Sequence, residues 1–531
     1  MKILKLLFVG IIIIPTLCAC GDFFEEDSQN QAYVSSVADL DELLMGEAYI
    51  NVPGFAISLK AHQSQLLTHT DKYFPWIHLQ DDDITEFAEG YDSSIDSWIR
   101  SNTASAYRWQ ENPFWNKEHV EYKPDDWEKA YKRIAILNSI LSELDNVREG
   151  ESDTLANRVA GEAYFLRAYN YYWLVNVYAQ PYALNSADKE LGVPLKIVGE
   201  VEDKHFSRAS VQAVYTQIRS DLANSVAAFR EIPKYSRPIR ADYTAACILM
   251  SRVCLYMEDY EEAVAYADSA ILRESHSILD LNSLEEGDSF TYEGSPETVF
   301  TQGGYIMAQI HTSDACWWNS SSTASSYKTS DDLLNCYGEN DLRRKIFFTH
   351  PPFSTDAWRC LKFREESGRI GDYMLFRFPE AYLNKAEAQA ILGDEAGAES
   401  TLNVLREKRF LVGEMPAIEE EMARSGENLV NFIRSERRRE FCYEGQRWFD
   451  LRRYAVNSKY PFSKPIRHEV RERQGGEGVE GHYVTVGYYE LKPYTEDRAA
   501  YVFPLPSSEI IFNKGTLVQN EDRPARKMVR Y

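Results

Sequence analysis

The chain lacks an apolar run long enough to cross a bilayer. Its longest, Leu6 to Ile14, falls well short of the roughly 20 residues a spanning helix needs. No HExxH, GxSxG or Walker pattern occurs, so the common signatures of zinc peptidases, serine hydrolases and nucleotide hydrolysis are missing. Positive charge is scarce: 58 Lys and Arg face 82 Asp and Glu, for a formal charge of −24. Such a surface repels phosphate backbones and anionic headgroups, which excludes nucleic acid as a partner. Cysteine is sparse as well, with 8 copies and no disulfide-framework spacing. Cys247 and Cys254 sit seven apart on an apparent helix, about 10 Å along its axis and too far to bridge. Buried free thiols are expected, with Cys316–Cys336 and Cys336–Cys360 as the pairings left open.

What is present points to a folded body behind a secretion signal. Lys2 and Lys5 precede the apolar stretch, and Leu17-Cys18-Ala19-Cys20 follows it. The Leu-x-Ala-Cys order resembles a lipobox, in which Cys20 is acylated and becomes the first mature residue. The acidic stretch Asp22, Glu25, Glu26, Asp27 then reads as a tether. A hydrophobic fraction of 44% and an aromatic fraction of 13%, including 34 tyrosines, support a substantial core. Tyrosine and tryptophan suit helix packing and sugar or peptide binding alike, so composition does not choose between them.

Helical periodicity organises much of the chain. From Asp125 to Leu144, Trp127, Tyr131, Ile134, Leu137, Ile140 and Leu141 recur three or four apart. Asp153 to Tyr178 carries two apolar stripes and must therefore lie between neighbours. Two later segments match when shifted by 135 residues, placing Asp259 on Asp394 and Ala263 on Ala398. Each reads as helix, tight turn, helix, similar to a tetratricopeptide unit whose pairs stack to bury both faces. The expected fold is mainly α: a TPR-like scaffold of helical pairs with an irregular, loop-rich second lobe and a few short strands. Residues 1–19 read as the signal. Residues 20–275 form the N-terminal region, with helix pairs and an aromatic-rich loop segment at 61–124. Residues 276–370 form the irregular lobe, and 371–531 carry a further helix pair and a mixed tail, in which His482–Tyr489 looks like a strand.

Several motifs then carry a family likeness. Gly161-Glu162-Ala163-Tyr164-Phe165-Leu166-Arg167-Ala168-Tyr169, running on to Asn176-Val177-Tyr178 and Gly192-Val193-Pro194-Leu195, resembles the N-terminal hallmark of SusD/RagB lipoproteins. Arg377 to Ala388, Glu436 to Arg453 and Pro504-Leu505-Pro506-Ser507-Ser508-Glu509-Ile510 resemble its C-terminal ones, in the same order. Departures are mild: Ala179 stands where glycine is usual, and Asn513-Lys514-Gly515 lacks the usual proline. The resemblance implies an outer-membrane, surface-exposed lipoprotein with four TPR-like pairs. It would pair with a SusC-like TonB-dependent transporter and hand over oligosaccharides or, in the RagB branch, peptides. Within Glu436–Arg453, acids and bases sit at salt-bridge spacing (Glu436–Arg439, Arg437–Glu440, Asp450–Arg453), so these arginines, with Arg167 and Arg377, read as structural.

A non-catalytic sugar site needs aromatic faces ringed by groups that bond hydroxyls. Two segments offer them: Tyr73 and Trp76 with Asp81, Asp82, Tyr91 and Trp98, and Trp317, Trp318 and Asn319 within the polar loop Ser313–Ser330. The alternative is that these tryptophans plug loops onto the scaffold. Trp109, Trp115, Trp127 and Trp173 read as core. No cofactor is expected. Asp81–Asp83 would suit a structural calcium ion, but without a calcium loop's spacing a solvated turn is the expectation. His62, His69 and His78 match no zinc spacing and read as polar loop residues. A secreted glycoside hydrolase using two carboxylates is the competing function of another class.

Overall fold

The computed structural model describes residues 34–50, 73–87, 98–116, 118–121, 125–150, 152–234, 237–303, 327–350, 357–363, 370–418, 425–474 and 482–531. The main helices are α1 (Val37–Leu43), α2 (Trp98–Tyr107), α3 (Asp126–Val147), α4 (Asp153–Tyr178), α5 (Val211–Phe229), α6 (Tyr243–Tyr256), α7 (Tyr260–Leu272), α8 (Pro379–Leu392), α9 (Glu395–Arg406), α10 (Gly426–Phe441) and α11 (Arg447–Val456). The strands are β1 (Ile84–Glu86) in the first half and, in the second, β2 (Thr298–Thr301), β3 (Tyr327–Thr329), β4 (Phe348–Thr349), β5 (Arg359–Cys360), β6 (Leu375–Arg377), β7 (Ile466–Gln474), β8 (His482–Leu491) and β9 (Val529–Arg530). The fold is mainly α, as the periodicity predicts, and α4 has the bounds read from the sequence.

Helix α4 shows why two apolar stripes demand a sandwich. It packs between α3 and α5. A third face gives Phe165 to Phe300 and Tyr169 to Phe376, on β2 and β6, each at 5.2 Å between ring centroids. Gly161 marks the closest approach of α5, since a Cβ there would lie 2.7 Å from the Phe229 ring. Arg167 reaches Asp221 of α5 through two bonds of 2.9 and 2.5 Å, and Asn138 of α3 at 2.9 Å.

The internal repeat is real in three dimensions. Helices α6 and α7 form one hairpin, α8 and α9 another, and α7 packs on α8 so that the two stack. Each tight turn needs a left-handed residue: Glu258 at φ 61° in the first and Gly393 at φ 93° in the second. Glycine meets that need without steric cost, whereas Glu258 carries the strain of a Cβ. Asp259 and Asp394 follow as N-caps, and Ala263 and Ala398 are fully buried where the hairpin helices touch.

A buried ionic network joins the scaffold to the irregular lobe. Arg377 binds Glu444, Glu297 at 2.7 Å and Glu440 at 2.8 Å. Arg409 takes the same Glu297 and Glu440, at 2.6 and 2.9 Å, and Arg343 bridges Asp341, Glu436 and Glu440. Burial alone would raise Glu436, but Arg343, Arg439 and Arg406 outweigh it and hold the carboxyl at about 2. Two of the three expected helical pairs form, Glu436–Arg439 at 2.6 Å and Asp450–Arg453 at 2.8 Å. The Arg437–Glu440 pair does not. Arg437 instead reaches Asp450 and Asn384, while Glu440 serves three arginines brought in by the tertiary fold.

The strands make small antiparallel sheets, β1–β3, β2–β6 and β4–β5, and a three-stranded β7–β8–β9. Gly487 is required in the last: a Cβ would come within 2.1 Å of the Val529 carbonyl oxygen. One continuous hydrophobic cluster runs from Val37 to Leu517. Among the described residues no helix is long and apolar enough to cross a membrane. Cys247, Cys254, Cys336, Cys360 and Cys442 are free thiols, so the Cys336–Cys360 pairing does not form; Cys316 lies outside the described residues.

Candidate functional site

The two aromatic segments singled out in the sequence meet at one place. Strand β1 lies within the first, between Asp83 and Tyr91, and β3 closes the second; they pair with Ile84 opposite Thr329 and Glu86 opposite Tyr327. Cross-bracing fixes this junction. Ser330 donates its backbone N–H to the Asp83 carbonyl at 2.8 Å and its hydroxyl to the Asp82 carbonyl at 2.7 Å. The Tyr443 hydroxyl bonds the Asp83 carbonyl and Thr329 Oγ1. Behind it, the His468 ring of β7 is stacked between Tyr107 and Trp109, at 4.2 and 4.0 Å between centroids. Its nitrogens meet the carbonyls of Tyr107 and Asp81, and burial outweighs those contacts to push the imidazole down to about 4.

The acidic triplet is not the solvated turn the sequence suggested. Asp81, Asp82 and Asp83 are buried, with carboxylate oxygens within 4.8 Å of one another. The Asp82 carboxylate is gripped by Arg447 at 2.7 and 2.9 Å, by Lys464 at 2.7 Å and by Arg438 at 3.3 Å. Arg438 also binds Asp83 at 2.8 Å. Burial raises Asp82, yet Arg438, Arg447 and Lys464 carry it well below the usual carboxylate range. Burial and the two neighbouring carboxylates push Asp81 well up. A calcium ion takes 6–8 oxygen ligands, but here guanidinium and ammonium groups already hold both Asp82 oxygens and one of Asp83. The donor set does not fit that ion. Nor do Asp81 and Asp82 face outward to bond a ligand: both are buried, Asp82 with Asp83 clamps the segment to α10 and α11, and Asp81 accepts the Asp83 N–H at 3.0 Å.

Trp76 is likewise a plug and not a platform. It is 2% exposed, stacks on Phe503 at 3.7 Å and meets Phe74 edge-on at 5.8 Å. His78 is buried too, 3.6 Å from Asp372, which corrects its reading as a polar loop residue. Trp109, Trp127 and Trp173 are core as expected, while Trp115 is half-buried. Trp98 opens α2, its side chain lying outside the described residues along with Tyr91, Trp317, Trp318, Asn319, His62, His69 and Cys20.

Tyr73 lines a recess, a small one of about 10 Å³ with room for a single water. Around it stand Asp126 and Arg133 of α3, Asn170 and Trp173 of α4, and Gln302. Arg133 donates to the Tyr73 hydroxyl, and Arg133 and Lys129 lie over its ring at 4.7 and 4.9 Å. Asp126, in the first turn of α3, also accepts the Phe74 N–H at 3.1 Å, and burial raises its carboxyl to about 7. The sequence hid these residues because they fall on helical faces otherwise read as core. Their seven-residue spacing on α3, which puts both on one side of the helix, was the available signal.

The comparisons with known proteins agree with this geometry. A model described as the SusD family matches residues 358–522, and one described as starch-binding associating with outer membrane matches 72–255. The chain belongs to the SusD/RagB family. It is 24% identical to the SusD-like protein P2 of Formosa agariphila over 442 residues, covering 74% of this chain and 79% of that one. It is 25% identical over 404 residues to SusD-like protein P38 of the same organism, 65% and 75% of the respective chains. A SusD superfamily protein from Bacteroides thetaiotaomicron superposes with a TM-score of 0.64 at 19% identity, over 92% of this chain and 100% of the other. A SusD-like carbohydrate binding protein from Bacteroides vulgatus gives 0.60 at 17%, over 91% and 97%. In this SusD/RagB chain the C-terminal hallmark does physical work, since Arg438 and Arg447 from it lock the aromatic segment in place.

Proposed function

We propose that this protein is a non-catalytic lipoprotein of the outer-membrane surface that captures oligosaccharides and delivers them to a SusC-like TonB-dependent transporter. In this reading Cys20 carries the lipid anchor, the helical pairs face the transporter, and the irregular lobe presents the ligand site. The observation that carries it is the β1–β3 pairing, which ties the middle of the first aromatic segment and the end of the second to one ion-paired frame. A ligand platform needs such pre-organisation, because ordering loops on binding would cost affinity. Trp98, Trp317 and Trp318 are the proposed stacking residues, with Tyr91 and Asn319 beside them. The family description as starch-binding and the carbohydrate-binding relative favour glycan over the peptides of the RagB branch.

Retention on immobilised polysaccharides tests the reading. Trp98→Ala, Trp317→Ala and Trp318→Ala should each leave the fold intact, and at least one should abolish retention. Normal retention by all three overturns the site. Prolonged incubation with polysaccharide should release no new reducing ends; their appearance would favour a glycoside hydrolase instead.

A further inference from the structure

A second recess lies where the link between α5 and α6, the segment after α7 and the approach to β2 converge. It measures about 140 Å³ and its lining is mainly polar. A cavity of about 150 Å³ admits benzene, so this open recess seats the ring of a sugar while its further substituents stand in solvent. The polar walls select a hydroxylated ring over an apolar one.

The charges around it are unequally committed. Asp242 caps α6 by accepting the Ala245 N–H at 2.9 Å, and Glu293 is paired with Arg237 at the rim. Lys234 differs. Its ammonium donates to the Ser275 carbonyl at 2.7 Å, and among the described residues no carboxylate comes within the 4.0 Å of an ion pair. That leaves donors to spare on an exposed cation, in a chain whose net charge is −24. His276 is fixed beside it by Ser275 Oγ at Nδ1, 2.9 Å away, and by Phe378 at 5.9 Å between ring centroids. Burial and the Lys234 charge push that imidazole down to about 4, so it faces the recess uncharged at neutral pH.

We propose that this recess is a monosaccharide-sized subsite for an acidic sugar, a six-membered ring bearing a carboxylate or sulfate. Lys234 holds the anionic group, and His276, Glu293 and Ser295 meet the hydroxyls. The inference rests on the glycan-capture reading and deepens it by naming a class of sugar.

Saturation-transfer NMR on the full-length protein in detergent tests it, with glucuronate, glucose, acetate and sulfate as probes. Glucuronate should bind, glucose about tenfold more weakly, and acetate and sulfate should not compete. Lys234→Ala should weaken glucuronate about tenfold, as expected for losing one charge-assisted bond, and Lys234→Arg should restore it. Equal glucuronate affinity in wild type and Lys234→Ala overturns the proposal, as does competition by acetate at similar concentration. Neutral oligosaccharide retention by the aromatic rim is read in parallel. If it survives while glucuronate ignores Lys234, the subsite alone falls. If it is absent while glucuronate depends on Lys234, the acidic-sugar site stands and the capture reading falls.

Discussion

Substituting Glu440 by Gln isolates what the buried network contributes. The Glu440 carboxylate is fully buried and accepts from Arg377 at 2.8 Å, from Arg409 at 2.9 Å through both oxygens and from Arg343 at 3.3 Å. Glutamine keeps the shape but removes the charge and turns an amide N–H₂ toward a guanidinium. Charge-assisted bonds contribute about 1.5–3 kcal/mol each, and breaking one side of a buried pair costs about 3–5 kcal/mol. Glu297, Glu444, Glu436 and Asp341 still partner the three arginines, so the lower end, about 3 kcal/mol, is expected. The pH dependence follows from the sign of the shift. Burial would raise the carboxyl, but Arg409, Arg377 and Arg343 hold it well below its ordinary value of 4.5. A depressed folded-state value gives stability that is complete above the unfolded value and is lost as pH falls through the folded one. Urea unfolding followed by tryptophan fluorescence should therefore show the full deficit of Glu440→Gln at pH 7 and a shrinking one below about pH 4.5. A deficit under about 1 kcal/mol, or one unchanged at strongly acid pH, would refute the reasoning. At neutral pH, well below its unfolding midpoint, the variant should still retain oligosaccharide, because these arginines bind carboxylates of the chain and no ligand.

Trp76→Ala should lose about 3–5 kcal/mol, whereas Trp76→Phe, which can keep the stack on Phe503 and drops an indole N–H that has no partner among the described residues, should be nearly neutral in melts and bind ligand normally. Asp126→Asn should stabilise the protein at pH 8 by about 2–4 kcal/mol. Burial lifts that carboxyl to about 7, so the cost of ionising it in the fold grows as pH rises from 3.8 and is complete above 7. The two proteins should accordingly melt alike near pH 3.5. Cys20→Ala should abolish acylation and surface display, read by protease shaving of whole cells; undiminished display would remove the anchor.

How far the sequence carried depended on whether the decisive contact was local. Helix α4 was legible end to end because its two stripes repeat within one element, and the paired hairpins were legible because Asp259 and Asp394 cap equivalent turns. The burial of Arg167 and Arg377 in ion pairs was legible too, since acids and arginines are interleaved in the hallmark segments. The roles of Trp76 and the acidic triplet were not. Phe503 lies at the far end of the chain from Trp76, and Arg438, Arg447 and Lys464 are equally remote from Asp82. A run of aromatics, a proline and three aspartates reads alike whether it faces solvent or is clamped beneath it. Only the tertiary fold tells the two apart.

That clamp also explains why the hallmark arginines sit so far in sequence from the aromatic segments. Loops of this length bury too little apolar surface of their own to hold a fixed shape, so their geometry must come from elsewhere. Bidentate bonds from arginine fix orientation as well as position, which apolar contacts do less sharply. Helices α10 and α11 supply both: Glu436 and Glu440 close the scaffold, while Arg438 and Arg447 reach across to Asp82 and Asp83. One stretch of chain thus sets the stacking of the helical pairs and the position of the β1–β3 junction. Loss of Arg447 should therefore loosen ligand retention without Arg447 ever touching ligand, through a freed Asp82 and a β1–β3 junction that no longer holds its place.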